Sequence, residues 1–245
     1  MVDFLEVNGR RIAYRKTEGA GPGIVFLGGF KSDMNGTKAV FLEDWAKAQG
    51  RAFLRFDYSG HGQSSEAFTD GCIGEWAADA LAVLDQLTDG PQVLVGSSMG
   101  GWMSLLVARA RPEWVKGLVG IAAAPDFTED SMWNGFSDAQ KDEMVRTGRV
   151  ELPSDYDDGP YVITQKLIVD GREQLVLRAP LDLPFPVRLL HGTADVDVVM
   201  DVPLRIVEHV SCDDLRLTFV KGADHRFSDD ACLQMISDAV VEVSR

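Results

Sequence analysis

A short apolar run, Val93 to Val95, leads directly into the pattern Gly-x-Ser-x-Gly at Gly96, Ser98 and Gly100, and a helix-like segment follows. This pattern is typical of a nucleophile elbow, a sharp strand-to-helix turn that holds one serine in strained geometry with its oxygen exposed. Glycine is needed on both sides because a side chain would crowd the packing of strand against helix. The alternative is a glycine-rich loop with no chemical role. The elbow constrains the fold more, since it requires a strand, this turn and a helix in that order.

The rest of the chain alternates strand-like and helix-like segments. Predicted strands cover residues 3–7, 10–16, 23–27, 52–56, 92–95, 115–122, 187–190 and 215–220, and Asn8-Gly9 joins the first two as a hairpin. Predicted helices cover residues 35–49, 73–87, 99–110, 201–209 and 228–243. Apolar strands without polar alternation are typical of a sheet covered on both faces. The pattern therefore predicts an α/β fold with a mostly parallel sheet.

The regular alternation breaks after Pro125. Residues 126–182 hold many acids, dispersed aromatic residues and turn clusters, and we interpret them as a small lid insertion in a single domain spanning residues 1–245. Aromatic side chains in such an insertion either line an apolar acyl pocket or form the internal core of the lid. The candidates for substrate binding are Trp133, Phe136, Tyr156 and Tyr161.

Composition excludes several classes of protein. The net charge of −14 and the pI of about 4.6 argue against binding nucleic acid or an anionic membrane through a basic face. The N-terminus lacks a signal-peptide core, and no apolar run approaches the length of a membrane span. Three widely spaced cysteines fit reduced thiols in a cytoplasmic protein. The four histidines show no metal-ligand spacing, so we expect neither metal nor cofactor.

A serine hydroxyl becomes a nucleophile only with a base within hydrogen-bond reach and an acid that orients the base. In enzymes built on this elbow the three residues follow the chain order serine, acid, histidine, so the base must follow Ser98. His61 precedes the serine, His191 ends a predicted strand, and His209 lies in a helical stretch. His225 lies in the loop between the last strand and the last helix, which is the place expected for the base.

The acid is expected in the turn after the preceding strand. Asp195 ends the run His-Gly-Thr-Ala-Asp directly after that strand, and Asp197 and Asp201 follow two and six residues later. We favour Asp195 because it follows the turn directly; Asp197 and Asp201 are the alternatives. Its role would be to fix the tautomer of His225 and to stabilise the imidazolium, without taking the proton itself.

Two preorganised donors are expected for the oxyanion of the intermediate. One is the backbone N–H of Met99, the residue after the nucleophile. The other is the backbone N–H of Phe30, in the loop after the third strand, where Gly29 lets the backbone approach closely. The alternative is that Gly28-Gly29 only terminates that strand.

With these residues placed, the chain resembles the α/β-hydrolase superfamily over nearly its whole length. The shared motifs are LGGF at 27–30, DYSGHGQS at 57–64, GSSMG at 96–100, HGTAD at 191–195 and GADH at 222–225. The resemblance implies an α/β-hydrolase fold with an eight-stranded, mostly parallel sheet, helices on both faces, and a serine hydrolase activity. It also implies that His61, in the second motif, is architectural. Many members have His where this chain has Gly28; that loop usually acts through its backbone.

A closer resemblance lies in FKSDMNGTKA at 30–39, VRLLHG at 187–192 and the triplet Asp224-His225-Arg226. These are similar to the mitochondrial α/β-hydrolase-domain acyl-protein thioesterases and their bacterial relatives. The resemblance implies a carboxylesterase or thioesterase of small acyl substrates, S-acylated proteins or acyl-glucuronide esters. The alternatives are a peptidase or other acyl-transfer hydrolase on the same triad, or a slow-turnover ligand-binding receptor. In a peptidase, the acids Glu129, Asp130 and Asp155 to Asp158 would bind an amine.

Overall fold

The secondary structure follows the predicted order closely, in a computed structural model that describes residues 2–153 and 159–245. The strands are β1 (Asp3–Val7), β2 (Arg10–Thr17), β3 (Ala20–Leu27), β4 (Arg51–Phe56), β5 (Gln92–Ser97), β6 (Val115–Ile121), β7 (Arg149–Leu152), β8 (Tyr161–Thr164), β9 (Leu181–Asp182), β10 (Val187–Gly192), β11 (Val210–Ser211) and β12 (Leu215–Val220). The α-helices are α1 (Thr37–Ala48), α2 (Ile73–Leu87), α3 (Met99–Ala110), α4 (Asp138–Thr147), α5 (Gln165–Glu173), α6 (Asp201–His209) and α7 (Asp230–Val243). No helix among the described residues is long and apolar enough to cross a membrane.

Within the described residues, eight strands form one sheet in the order β1-β2-β4-β3-β5-β6-β10-β12. Strand β2 runs antiparallel to both of its neighbours, and all pairs from β4 to β12 are parallel. The predicted hairpin is present, with positive φ angles of 50° at Asn8 and 82° at Gly9. The predicted fold class, an α/β fold with a mostly parallel sheet, is confirmed.

Two apolar layers cover the sheet. Helices α1 and α7 pack on one face, and α2 and α3 pack on the other. On α2 the apolar residues recur at helical spacing, and Ile73, Trp76 and Val83 are each 0% exposed. Burying one such large side chain contributes about 1.5–3 kcal/mol. The apolar stripes therefore fix the helices against the sheet. Functional side chains are expected on the loops between strand ends and helix starts.

Between β6 and β10 the chain leaves the sheet. This segment holds a π-helical turn (Thr128–Trp133), helices α4 and α5, and the antiparallel pair β7–β8. Its base is anchored by Asp126, whose carboxylate has no exposed surface. That carboxylate accepts hydrogen bonds from the N–H groups of Val176 (2.8 Å) and Leu177 (3.0 Å) and pairs with Arg178. The start and the end of the segment are thus tied together at one buried charge.

A buried ion pair joins α1 to the sheet. Glu43 Oε2 accepts hydrogen bonds from the guanidinium of Arg55 at 2.6 and 2.8 Å, and Oε1 accepts one from the Thr17 hydroxyl at 2.9 Å. Burial alone raises the pKa of Glu43, but hydrogen bonds from Lys47, Arg55 and Thr17 outweigh it and bring the pKa to about 2. The ionised form of Glu43 therefore stabilises the fold.

We expect Glu43→Gln to lower the free energy of unfolding at pH 7 by about 2 kcal/mol, because it removes a charge that the folded state binds more tightly than the unfolded state. Because the pKa of Glu43 is depressed in the folded state, this contribution to stability is fully present at pH values above the ordinary pKa of 4.5. It is lost as the pH falls towards about 2. Urea denaturation at several pH values measures it, with Asp44→Asn, an exposed neighbour on α1, as the control. A difference in the free energy of unfolding between variant and parent that stays constant from pH 5 to about 2.5 would contradict this account.

Candidate active site

Ser98 lies at a tight junction between β5 and α3. Its backbone has φ 54° and ψ −119°, a strained conformation for a residue other than glycine. The junction is tight because the glycines on either side allow backbone contact. A Cβ on Gly100 would lie 1.9 Å from the carbonyl oxygen of Leu27, and one on Gly96 would lie 2.3 Å from the carbonyl oxygen of Gly100. The strand, the strained turn and the helix predicted from the motif are all present.

The structure brings Ser98, His225 and Asp195 together. His225 Nε2 lies 3.1 Å from Ser98 Oγ, and His225 Nδ1 lies 2.8 Å from Asp195 Oδ2. The three residues follow the carboxyl ends of the parallel strands β5, β12 and β10, which meet at one edge of the sheet. Asp197, one of the alternative acids, is exposed and donates its backbone N–H to Asp195 Oδ1. The acid in contact with the imidazole is Asp195.

The turns that carry Asp195 and His225 are bonded to each other. The N–H of Ala194 donates to the carbonyl of Ala223 at 3.0 Å, and the N–H of Gly222 donates to the Thr193 hydroxyl at 2.9 Å. These bonds extend the parallel pairing of β10 with β12 beyond the strand ends. These bonds therefore fix the relative position of the two turns that carry the carboxylate and the imidazole.

Asp195 is held as a carboxylate. Its side chain has no exposed surface, and burial alone raises its pKa. The hydrogen bonds from His225 and from the N–H of Val198 (2.8 Å) outweigh burial, so the pKa of Asp195 lies below its ordinary value. Buried His191 supports the same turn by donating Nε2–H to the carbonyl of Val198 at 2.9 Å. Burial lowers the pKa of His191, which favours this neutral form.

The two predicted oxyanion donors belong to segments next to Ser98. The N–H of Met99 is the first of helix α3, where N–H groups have no acceptor within the helix. The loop with Phe30 passes close by, since a Cβ on Gly29 would lie 3.5 Å from Ser98 Cβ. The N–H of Phe30 makes no hydrogen bond to any described residue. The role of both N–H groups as oxyanion donors stays a prediction.

A cavity of about 820 Å³ opens above Ser98 and His225. Its apolar wall includes residues from the loop after β3, from the insertion and from the turn after Asp195, namely Phe30, Phe127, Met132, Tyr161, Val198 and Val202. Phe30 is the centre of this wall: its ring contacts those of Phe68 (4.9 Å), Phe127 (5.5 Å) and Tyr161 (6.0 Å) edge to face. The sequence pattern suggested only its backbone N–H.

The four aromatic residues proposed from the sequence to bind substrate have different places. Tyr161 lines the cavity. Trp133 and Phe136 do not line it: they contact each other at 6.1 Å, and Arg172 covers the Trp133 ring at 4.7 Å, so both belong to the interior of the insertion. Tyr156 lies outside the described residues. Phe127 and Val198 also line the cavity, and the sequence analysis did not select them. A usable signal was their position in the chain, since Phe127 lies at the start of the insertion and Val198 lies three residues after Asp195.

Among the described residues, one group of acidic and histidine side chains has ligand atoms within 4.8 Å of one another: Asp195, Asp197 and His225. Asp195 and His225 already bond to each other, and His225 also bonds to Ser98. A metal ion held by all three residues would take the imidazole away from the serine.

His61, which the resemblance makes architectural, lies away from this group. It is buried between the rings of Tyr58, Phe68 and Trp76, and burial lowers its pKa to about 4.

This sheet and this arrangement at its edge define an α/β hydrolase, and the comparisons agree. Residues 24–150 match the family model for the alpha/beta hydrolase fold. The chain is 38% identical to the human mitochondrial palmitoyl-protein thioesterase ABHD10 over 226 residues, which cover 92% of this chain and 74% of the human protein. The chain belongs to the α/β-hydrolase family and is a hydrolase.

Two solved structures share the fold over the full length of the chain. A putative hydrolase from Agrobacterium vitis S4 has a TM-score of 0.95 and 38% identity, covering 100% of this chain and 98% of the other. The mouse α/β hydrolase domain-containing protein 10 has a TM-score of 0.91 and 36% identity, covering 100% of both chains. The predicted resemblance to the acyl-protein thioesterase group is confirmed.

We expect Gly100→Ala to destabilise the protein by at least about 3 kcal/mol, because the new Cβ meets the backbone of β3 and no side chain can move to relieve the contact. Urea denaturation measures the change. The matched control is Gly135→Ala, at a glycine whose Cβ would have no neighbour within 4 Å. Similar stability for the two variants would show that the strand and the helix are less closely packed than described.

Proposed function

We propose that this protein is a serine hydrolase that cleaves acyl esters and thioesters through an acyl-enzyme on Ser98. The observation that carries the proposal is the continuous chain of contacts from Ser98 Oγ to His225 Nε2 (3.1 Å) and from His225 Nδ1 to Asp195 Oδ2 (2.8 Å). A hydroxyl, a base and an orienting carboxylate in this order make up an activated nucleophile.

In the proposed mechanism, His225 accepts the proton of Ser98 as its oxygen attacks the carbonyl carbon of the substrate. The negative charge on the carbonyl oxygen is stabilised by the N–H groups of Met99 and Phe30. The imidazolium then donates its proton to the leaving alcohol or thiol, and the acyl group stays on Ser98. Water, deprotonated by His225, then attacks the acyl-enzyme. The bond from the acyl carbon to Ser98 Oγ breaks, Oγ takes the proton back from His225, and the acid is released. Asp195 keeps Nδ1 protonated throughout and stabilises the imidazolium.

The substrate class rests on the cavity and on the relatives. The apolar wall formed by Phe30, Phe127 and Met132 suits an acyl chain, and the volume of about 820 Å³ exceeds what a short acyl group needs. The human relative is named a palmitoyl-protein thioesterase. Both observations favour an acyl thioester or ester with a sizeable apolar chain as the substrate of this chain.

A peptidase has less support. Two acids of the insertion that the sequence offered for binding an amine are already paired: Asp130 bonds to Arg178 (2.5 Å) and Arg205 (2.9 Å), and Glu129 bonds to Arg172 (2.6 Å). The other acids offered, within 155–158, lie outside the described residues. Since the carboxylates of Glu129 and Asp130 are neutralised within the protein, they do not form a ready site for a substrate ammonium group.

We expect Ser98→Ala to reduce turnover of p-nitrophenyl esters and of a matched acyl thioester to background, since the acyl-enzyme of the proposed mechanism forms on the Ser98 oxygen. A fluorophosphonate probe should label the parent at Ser98 and should not label the variant. The control is Ser131→Ala, an exposed serine that lines the same cavity. Parent-like turnover by Ser98→Ala, or labelling at another serine, would overturn the proposal.

We expect Asp195→Asn to lower kcat by about 10³- to 10⁴-fold with a small change in KM, because the amide favours the wrong imidazole tautomer. Steady-state kinetics near neutral pH measure the effect. Asp197→Asn, two residues away and exposed, is the control and should retain kcat within about threefold. A larger loss of kcat in Asp197→Asn than in Asp195→Asn would show that Asp195 is not the orienting acid.

A further inference from the structure

The Lys38 side chain of helix α1 contacts the loop that carries His225. Lys38, in the first turn of α1, donates from Nζ to the backbone carbonyl of Arg226, the residue directly after His225. Lys38 is half-buried and lines the same cavity as Ser98 and His225. It therefore contacts the peptide unit next to the base, across 188 positions of sequence.

The loop is fixed at both ends by other contacts. At its start, Gly222 and Ala223 are bonded to the turn of Thr193 and Ala194, as described above. At its end, the Phe227 ring has no exposed surface, and its N–H donates to Asp224 Oδ1 at 3.1 Å. Phe227 also has a φ of 49°, which is strained for an aromatic residue. The peptide between Arg226 and Phe227 is thus at a strained bend, and Lys38 holds its carbonyl.

The position of Lys38 is unfavourable for a lysine in the absence of such a partner. A cation in the first turn opposes the helix macrodipole, whose positive end lies there. Burial lowers the pKa of Lys38 to about 8; Asp224 raises it, Arg226 lowers it and Cys232 raises it. Removing this charge should therefore leave the stability of α1 unchanged or increase it.

We propose that Lys38 is a positioning residue for the proposed hydrolysis: by holding the carbonyl of Arg226 it keeps the His225 imidazole aligned with Ser98. This inference rests on the proposed function. An ammonium group makes a stronger, charge-assisted hydrogen bond to a carbonyl than the neutral amine does. Small losses of alignment at the reacting atoms have large effects on rate, and stability need not change.

A pH dependence follows. The groups that face Lys38 are Asp224 and Arg226 of the His225 loop and Cys232 of α7, and burial raises the pKa of the Cys232 thiol to about 12. Because the pKa of Lys38 is lowered to about 8, the ammonium is present below that pH and is lost above it. The alignment of His225 should therefore weaken, and kcat should fall, as the pH rises through about 8.

The test compares Lys38→Met, Lys38→Arg and the control Lys221→Met with the full-length parent. Lys221 is exposed at the start of the same loop, so its variant removes the same charge without the contact. Steady-state kinetics with a short-chain p-nitrophenyl ester are measured from pH 6 to 10, with Ser98→Ala as the background, together with melting temperatures.

The expected result is a loss of kcat of about 10- to 100-fold in Lys38→Met, with little change in KM and no fall in melting temperature. Lys38→Arg should retain most of the activity and lose the decline above pH 8, because guanidinium stays protonated. Lys221→Met should behave as the parent.

A parent profile that stays flat through pH 8 to 9.5, or a kcat for Lys38→Met within twofold of the parent at pH 7, would overturn the positioning role. A melting temperature that falls in step with kcat would also overturn it, because it would assign Lys38 to general stability. Activity in Ser98→Ala equal to the parent would instead refute the proposed function itself. The two failures are therefore distinguishable.

Discussion

The contact between the start of α3 and the end of β3 governs this structure. The Gly100 backbone packs so closely on Leu27 that a single methyl group would overlap its carbonyl oxygen. This contact brings two separate segments together: the strained turn that presents Ser98, and the segment from Leu27 to Phe30, which passes close to Ser98 at Gly29. The nearby Phe30 ring then organises the aromatic wall of the cavity through Phe68, Phe127 and Tyr161. The position of Ser98 and the apolar wall of the cavity thus depend on the same backbone contact.

Buried carboxylates fix the other loops around the cavity. Asp57 accepts the N–H groups of Met34 (2.6 Å) and Gln63 (2.8 Å), which holds the loop that leads to α1 and Lys38. Asp126 ties the insertion to its own end at Val176 and Leu177. Each carboxylate is satisfied by several donors, as buried charge requires. In this protein with a net charge of −14, some acids are therefore buried and hold loops in place through hydrogen bonds, and the exposed acids provide the surface charge.

The sequence was sufficient for the sheet, because each central strand is an apolar run and each major helix has an apolar stripe. Ser98, Asp195 and His225, which the structure brings together, could be selected from the sequence since each follows a recognisable strand. The insertion could not be resolved into elements: on α4 only Met144 is buried, so periodicity was weak. Its capping box at Ser137 and Gln140 and the Gly148 that ends it, with φ 77°, were usable signals. The packing of Trp133 against Phe136 and the contact from Lys38 to Arg226 depend on partners far apart in the chain, which local patterns do not encode.

The bonds between the two turns beyond β10 and β12 have a mechanical consequence. Because Ala194 is bonded to Ala223 and Gly222 to Thr193, the turns that carry the carboxylate and the imidazole are bonded directly to each other. The serine turn is bonded to β6 instead, from the N–H of Ser98 to the carbonyl of Ile121. A displacement of the serine turn relative to the other two would change the 3.1 Å distance from imidazole to hydroxyl and leave the 2.8 Å distance from imidazole to carboxylate unchanged.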